Sequence, residues 1–294
     1  MKARNAFSLI ELIVVIAIFA VLLGLLLPAI QPVRLAANKA KSANSLRQLT
    51  LAIHHFTNDH QAFLPSSDGY PIQGYDAIPG FRATIYWHDV FTSMRPYIEQ
   101  GQHSDEPFYR VPLFLSPSDT SIWSGGQPDN PQSREVSYSA NPWIFSKKAD
   151  FNNWISDGTS QTIIFVENYS TCYRLVGGRI TDLRLTSYSE TSVAAKRPTF
   201  ADGGGVCVNE GVGRGDVYPI TNNSITQPSK SGVTFQTKID FRNCDNTVLA
   251  SPYSNGALTA IADGSVRFVQ SGISPSTFWA AVTPRGGEIL GSDW

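Results

Sequence analysis

Apolar side chains fill the chain from Leu9 to Ile30, and Glu11 is the one charged residue in that stretch. As an α-helix rising about 1.5 Å per residue it reaches about 33 Å, enough to cross a hydrocarbon layer of about 30 Å. Pro28 and Pro32 then interrupt the helical pattern, because a proline inside a helix removes a hydrogen bond and kinks or melts the turn before it. Past Pro32, Val33, Ala36, Ala37, Ala40, Ala43, Leu46, Leu49, Ile53 and Phe56 recur at steps of three and four. That spacing predicts one face of an amphipathic helix ending near His60, ahead of Pro65.

Beyond residue 64 the helical period fades. Short β-branched or apolar runs, Thr162 to Val166, Gly232 to Phe235, Ala257 to Ala262 and Val266 to Val269, are separated by Gly, Pro, Asn and Asp, as strands and loops require. Asp263-Gly264 lies between the last two runs, the preferred chemistry of a two-residue hairpin turn. One short helix is expected near Trp87 to Glu99. The pattern predicts an α+β fold: a long N-terminal helix packed on an antiparallel sheet, with loop-rich β insertions between about residues 65 and 250.

Composition narrows the class. Of 294 residues 42% are hydrophobic and 16% charged, which excludes a wholly disordered chain, and a single spanning stretch excludes a multi-pass membrane protein. Lys2, Arg4, Arg34, Lys39, Lys41 and Arg47 stand against only Glu11 and Asp59 in the first 60 residues, so the remainder is net acidic and unsuited to nucleic acid. Cys172, Cys207 and Cys244 are far apart without CxxC spacing; they support at most one disulfide and an odd thiol, in a pairing left open.

The apolar stretch admits three readings. A secretory signal has an apolar core of about 7 to 15 residues and a small-x-small cleavage site, whereas Leu12 to Leu27 is already longer and Leu27-Pro28-Ala29-Ile30 is a poor site. A plain anchor leaves Glu11 unexplained, since a carboxylate in a bilayer helix costs about 2.5 to 3.5 kcal/mol. The third reading is a segment cut before its apolar run. A cut ahead of Phe7 would create a cationic amine at membrane depth, and pairing it with Glu11, in the same chain or a neighbour, lowers the cost of burying both charges.

Lys2 and Arg4, followed by Ala6-Phe7-Ser8-Leu9-Ile10-Glu11-Leu12-Ile13-Val14-Val15-Ile16, closely resemble the class III signal of type IV pilins and type II secretion pseudopilins. The resemblance implies a leader of residues 1–6, cleavage between Ala6 and Phe7 by a prepilin peptidase, and N-methylation of Phe7. Ala6 departs from the family's usual Gly but keeps its small size. Glu11, fifth from the cut, would dock an incoming subunit, and Pro28 would kink the helix. The implied layout is a transmembrane helix over 7–30, its amphipathic continuation over 31–64, and a β-rich domain over 65–294 on the periplasmic side of the inner membrane, or at the cell surface in an extracellular filament.

The rest of the chain resembles bacterial prepilin-type proteins whose C-terminal domain of unknown function is named for a His, nine residues, Asp-Gly motif. The matching stretches are Asn44 to Phe56, Met94 to Gln100, Phe114 to Asp119, Ser137 to Asn141, Ile155 to Ile163 and Ala262 to Phe268. Tyr253 occupies the histidine's place before Asp263 and Gly264, so chemistry needing an imidazole there is lost. Ser42 and Ser116 stand where relatives have cysteine, consistent with a lost disulfide.

Catalytic and metal signals are thin. Asp157-Gly158 and Asp263-Gly264 read first as turns, and Asp202-Gly203-Gly204-Gly205 lacks the Lys and the helix of a phosphate loop. His54, His55 and His60 have no completing ligand, while Asp202, Asp245 and Asn246 are hard-oxygen candidates for calcium. No catalytic residue and no cofactor are indicated. The leading expectation is a non-enzymatic pilin- or pseudopilin-like subunit partnered by prepilin peptidase and by other pilin-like subunits or itself. The alternatives are a membrane-tethered solute- or glycan-binding domain that does not polymerise, and a tethered hydrolase.

Overall fold

The computed structural model describes residues 9–65, 70–71, 87–88, 90–98, 111–122, 135–141, 143–145, 150–176, 179–185, 207–208, 234–245 and 248–294. Helix α1 (Leu9–Asp59) is a single run of 51 residues that continues through Pro28 and Pro32 instead of being interrupted by them. Each proline removes one backbone donor, and the rungs on either side carry the helix across. Its halves differ in surroundings. Leu9 to Leu26 and Pro28 to Leu35 expose their apolar side chains, whereas Ser42, Ser45, Leu46, Leu49, Thr50, Ala52, Ile53 and Thr57 are buried. The covered face therefore begins about nine residues later than the periodicity suggests: Val33, Ala36, Ala37 and Ala40 stay exposed. Helix spacing shows which side is apolar, and what reaches that side depends on the rest of the fold.

Gln61 (φ 54°) and Ala62 (φ 69°) turn the chain through the left-handed region, where the Ala62 amide donates to the Thr57 carbonyl at 2.7 Å. Ala62 then accepts from the Phe151 amide at 2.8 Å, which fastens the helix exit to the domain. Next come β1 (Tyr70–Pro71) and β2 (Trp87–His88), which pair antiparallel, and α2 (Val90–Met94), which runs into a 3-10 turn at Arg95–Tyr97. The helix expected over Trp87 to Glu99 is thus shorter: Trp87 is in a strand, Pro96 tightens the end into the 3-10 turn, and Glu99 lies outside the described residues.

The main sheet is built from β3 (Tyr138–Ala140) and, after the single turn α3 (Phe151–Trp154), β4 (Ile163–Glu167). A side sheet follows, β5 (Thr171–Val176), β6 (Arg179–Leu185) and β7 (Cys207–Val208), before β8 (Gly256–Ile261) and β9 (Val266–Gln270) return to the main one. The main sheet has the order β3-β4-β8-β9, antiparallel throughout. Of the predicted strands, the first appears as β4 and the last two as β8 and β9. Phe235 is in no strand; residues 234–235 lead only into an isolated bridge between Gln236 and Ala250, and Gly232 lies outside the described residues.

Both faces of this sheet are covered, which is why β4 and β8 are buried at every position and read as nearly continuous apolar runs. Along β8, Leu258 and Ala260 face α1, joined by Leu46, Leu49, Ile53, Phe91 and Phe114. Ala257 and Ile261 face the opposite layer of Phe235, Leu249, Phe278, Ala281 and Val282. β4 departs from strict alternation, since Ile164 and Phe165 both join the α1 side while Ile163 and Val166 join the other. A register irregularity between Ile163 and Phe165 accounts for it, one added residue turning two neighbours to the same face.

The second layer rests on α4 (Pro275–Val282), absent from the expected plan. Its start is written in the chain: Ser274 caps it by accepting from the Thr277 amide, and Pro275 fits the first turn where no donor is needed. The β8–β9 loop also differs from expectation. The Gly264 amide donates to the Ile261 carbonyl at 2.9 Å and the Ile261 amide to that of Ser265 at 2.8 Å, so three residues, not two, span the turn, with Gly264 at φ +91°. Cys172 and Cys244 form a disulfide with Cα atoms 5.8 Å apart, tying β5 to the loop at residues 241–245, while Cys207 lies in β7.

Candidate functional site

Two features carry the functional argument, and the first is the bare half of α1. Leu9, Ile10, Leu12, Ile13, Ile16, Phe19, Val21, Leu22, Leu23 and Leu25 all have at least half of their surface exposed. Water is a poor medium for so large an apolar surface, which marks a membrane or protein contact. The segment has the length and composition to cross a bilayer, and Glu11 sits in its first described turn. Ala6 and Phe7 lie outside the described residues.

The second feature is a hub of polar side chains under the packed half of α1, centred on Glu167. This carboxylate ends the buried strand β4 and is 0% exposed. Its Oε1 accepts from the Ser42 hydroxyl of α1 at 3.2 Å and, in a shorter contact, from the Ser116 hydroxyl; its Oε2 accepts from the Tyr253 phenol at 2.9 Å. Ser42 and Ser116 also touch each other, Oγ to Oγ at 2.9 Å. Burial pushes the Glu167 carboxyl up to about 7, against the opposing pull of the Ser116, Tyr253 and Ser42 hydroxyls, with the Asp119 charge adding to the rise. Lys39 lies with Nζ 3.1 Å from the centre of the Phe268 ring, and its ammonium is held below the ordinary lysine range by burial, offset by attraction to Glu167. Lys39 is thus a partly buried neighbour of the hub.

Beside the hub, Asp119 organises a second network. Oδ1 accepts from the amide and hydroxyl of Ser121 at 2.8 and 2.6 Å; Oδ2 accepts from the Ser137 hydroxyl at 2.7 Å and the Ser170 amide at 2.8 Å. Burial again raises this carboxyl above its ordinary value, against those four donors. Asn141 donates to the carbonyls of Ile163 and Val282, both at 2.7 Å, and so joins β4 to the end of α4. Asp119, Ser137 and Asn141 come from the stretches 114–119 and 137–141 singled out in the sequence, and their polar groups are spent on one another, on neighbouring hydroxyls and on backbone.

The Asp-Gly pairs have the same character. Asp157 accepts from the amides of Gly286 and Gly287 at 2.7 and 3.0 Å, and Gly158 has φ +106°. Asp263 accepts from the Ser265 amide at 2.8 Å within its own turn. Tyr253, in the place of the family's histidine, is a hub member. Burial, and after it the charge of Glu167, keeps its phenol well above the usual tyrosine range.

Glu167 with Ser42, Ser116 and Lys39 has the ingredients of acid–base chemistry, but Ser42, Ser116 and Glu167 are all buried and the two hydroxyls bond the carboxylate and each other. Among the described residues no group of three His, Cys, Asp or Glu could hold a metal ion. Of the calcium candidates, Asp202 and Asn246 lie outside the described residues, while the Asp245 amide and carbonyl both bond the Gln236 side chain. The histidines separate: His54 bonds the Ala262 carbonyl at 3.0 Å, His60 stacks on Phe56 with ring centres 4.0 Å apart, and His55 is exposed. Glu167 went unrecognised in the sequence; its signal was an acid at the end of the apolar run Thr162 to Val166, where a fully buried strand rarely carries one.

The first 27 residues match the prokaryotic N-terminal methylation motif. That motif accounts for the membrane-suited helix and points to a type IV pilin- or pseudopilin-like precursor, a structural subunit rather than an enzyme. No curated protein and no solved structure matches the chain. Residues 31–276, well over half of the sequence, match the family described as protein of unknown function DUF1559, and the chain belongs to that family.

Proposed function

We propose that this protein is a non-enzymatic pilin- or pseudopilin-like subunit. It is cut between Ala6 and Phe7 by a prepilin peptidase, N-methylated on Phe7, and held in the inner membrane by residues 7–30. Residues 31–64 continue the helix, and residues 65–294 complete a domain on the periplasmic side. The observation that carries this reading is the apolar half of α1, exposed over its described side chains and bearing Glu11 in its first described turn, within the stretch that matches the methylation motif. The Cys172–Cys244 disulfide supports placing the domain outside the cytoplasm, since such bonds persist in oxidising compartments.

Within the apolar segment Glu11 offsets the new α-amine of Phe7 on its own chain or on a neighbour, which selects correctly placed subunits during assembly. Intact mass spectrometry of the protein recovered from native membranes tests the processing. A chain beginning at methylated Phe7 is expected, and one beginning at Met1 would make the protein a tethered domain outside any filament. For assembly, Glu11→Ala should leave membrane insertion intact while reducing recovery of the protein in cross-linked multimers at least about tenfold, the effect of losing roughly 1.4 kcal/mol of pairing. Unchanged multimers would remove Glu11 from the mechanism.

A further inference from the structure

Glu167 has a property that neither the membrane segment nor subunit assembly uses. On this single carboxyl group α1 (through Ser42), the segment 111–122 (through Ser116), β4 and the residues leading into β8 (through Tyr253) meet. All of its described hydrogen-bond partners are neutral hydroxyls. The titratable groups facing it are Lys39 of α1, whose ammonium lies over Phe268; Asp119 of the 111–122 segment; Tyr138 of β3; Tyr169 after β4; and Tyr253. Asp119 repels a second negative charge here. The tyrosines resist ionisation, burial being the first cause in each and the Glu167 charge a further one.

We infer that Glu167 is a proton-operated fastener between the long helix and its domain: protonated, it completes a neutral hydrogen-bonded joint, and ionised, it leaves a buried charge that weakens the grip on α1. The hydroxyls at the joint suit both states, because Ser42 and Ser116 can donate to a carboxylate or accept from a carboxylic acid. Tyr253 is only partly buried and bonds Oε2 directly, so it provides the contact nearest to solvent for proton exchange. The surrounding burial supports the same direction, since the carboxyl rises from 4.5 to about 7 on folding.

The sign follows from linkage. A carboxyl whose folded value lies above its unfolded one binds more protons when folded, so its stabilisation is present in full below pH 4.5 and is lost as pH rises through about 7. Between pH 8.5 and 5.5 the folding equilibrium should improve roughly thirtyfold from this group alone.

Denaturant unfolding of the full chain in detergent micelles, across that pH range, tests the inference alongside Glu167→Gln, which keeps the shape of the protonated acid. The wild type should show the gain and the variant less than about a threefold change. Hydrogen exchange, corrected for its intrinsic pH dependence, should show residues 42–57 less protected at pH 8.5 in the wild type only. Equal pH dependence in both chains overturns the proposal. If Glu167→Gln does not fold, Tyr253→Phe carries the test: losing a donor to the carboxylate should move the midpoint of the wild-type pH dependence upward, and an unmoved midpoint overturns it. The infrared carbonyl band of a protonated carboxyl should titrate near neutrality in the wild type; a band that vanishes by pH 5 also overturns it.

Discussion

Ser42 and Ser116 lie 74 positions apart in the chain, yet their hydroxyl oxygens are 2.9 Å apart in the interior. Two cysteines there would have their sulfurs in the neighbourhood that a disulfide demands. Ser42→Cys with Ser116→Cys should therefore oxidise in air, leaving neither of the pair's two thiols open to alkylation. The bridge should add about 2–4 kcal/mol against denaturant relative to the reduced double variant. Free thiols at both positions after air oxidation would show that the backbone does not bring them within bonding range. Asp157 is the second residue whose role is set by distant partners. Its carboxylate receives the amides of Gly286 and Gly287, and Gly287 has φ +71°, a conformation suited to glycine. Asp157→Ala should cost about 1–2 kcal/mol, the value of two charge-assisted bonds at a partly open site, with Asp157→Asn costing less because one acceptor remains. Equal stability of all three in denaturant melts would mean that water replaces those bonds without loss.

Helix α1 is one element with two environments. Its first half has no covering layer among the described residues, and its second half is pinned by Leu46, Leu49 and Ile53 on the sheet and by Ser42 on Glu167. The helix is long because nothing between its halves stops it, not because one surface covers it throughout. β4 is also more than a strand: its irregularity delivers Ile164 and Phe165 to one core while Ile163 and Val166 fill the other, and its last residue is the hub. The disulfide acts at this scale as well, closing 72 positions of chain between β5 and the loop at 241–245. Replacing both Cys172 and Cys244 by Ser should lower stability by about 2–4 kcal/mol, read from denaturant midpoints at constant slope. No change would mean that the enclosed segment is already constrained without the bond.

At the scale of the molecule, a sheet covered by α1 on one side and by α4 on the other encloses two apolar cores, with a polar seam joining them to the surrounding loops. Since contacts of α1 with the domain begin at Asn38 and Lys39 and full burial at Ser42, the fold owes little to residues 1–35. A chain lacking residues 1–35 should remain monomeric in water without detergent and keep the near-ultraviolet signal of the packed aromatics Phe91, Phe114 and Phe165, while the full chain requires micelles. Aggregation of the shortened chain would show that the exposed half of α1 also shields the domain.

The N-terminal architecture was legible in the order of residues, because crossing a bilayer needs only a long apolar run and a helix needs only its own backbone hydrogen bonds. Leu9 to Ile30, Glu11 and the methylation motif are contiguous, and so are the runs that became β4, β8 and β9. The meaning of scattered polar residues was not legible there. Ser42, Ser116, Glu167 and Tyr253 are spread over more than two hundred positions, and nothing local indicates that they share one carboxyl group. Asp157 and the Gly286-Gly287 pair likewise meet only after α4 returns the chain to the sheet. Local patterns report propensities and periods; the burial that raises Glu167 and the closure that seals it exist only once α1 lies over the folded sheet, where desolvation outweighs three donated hydrogen bonds.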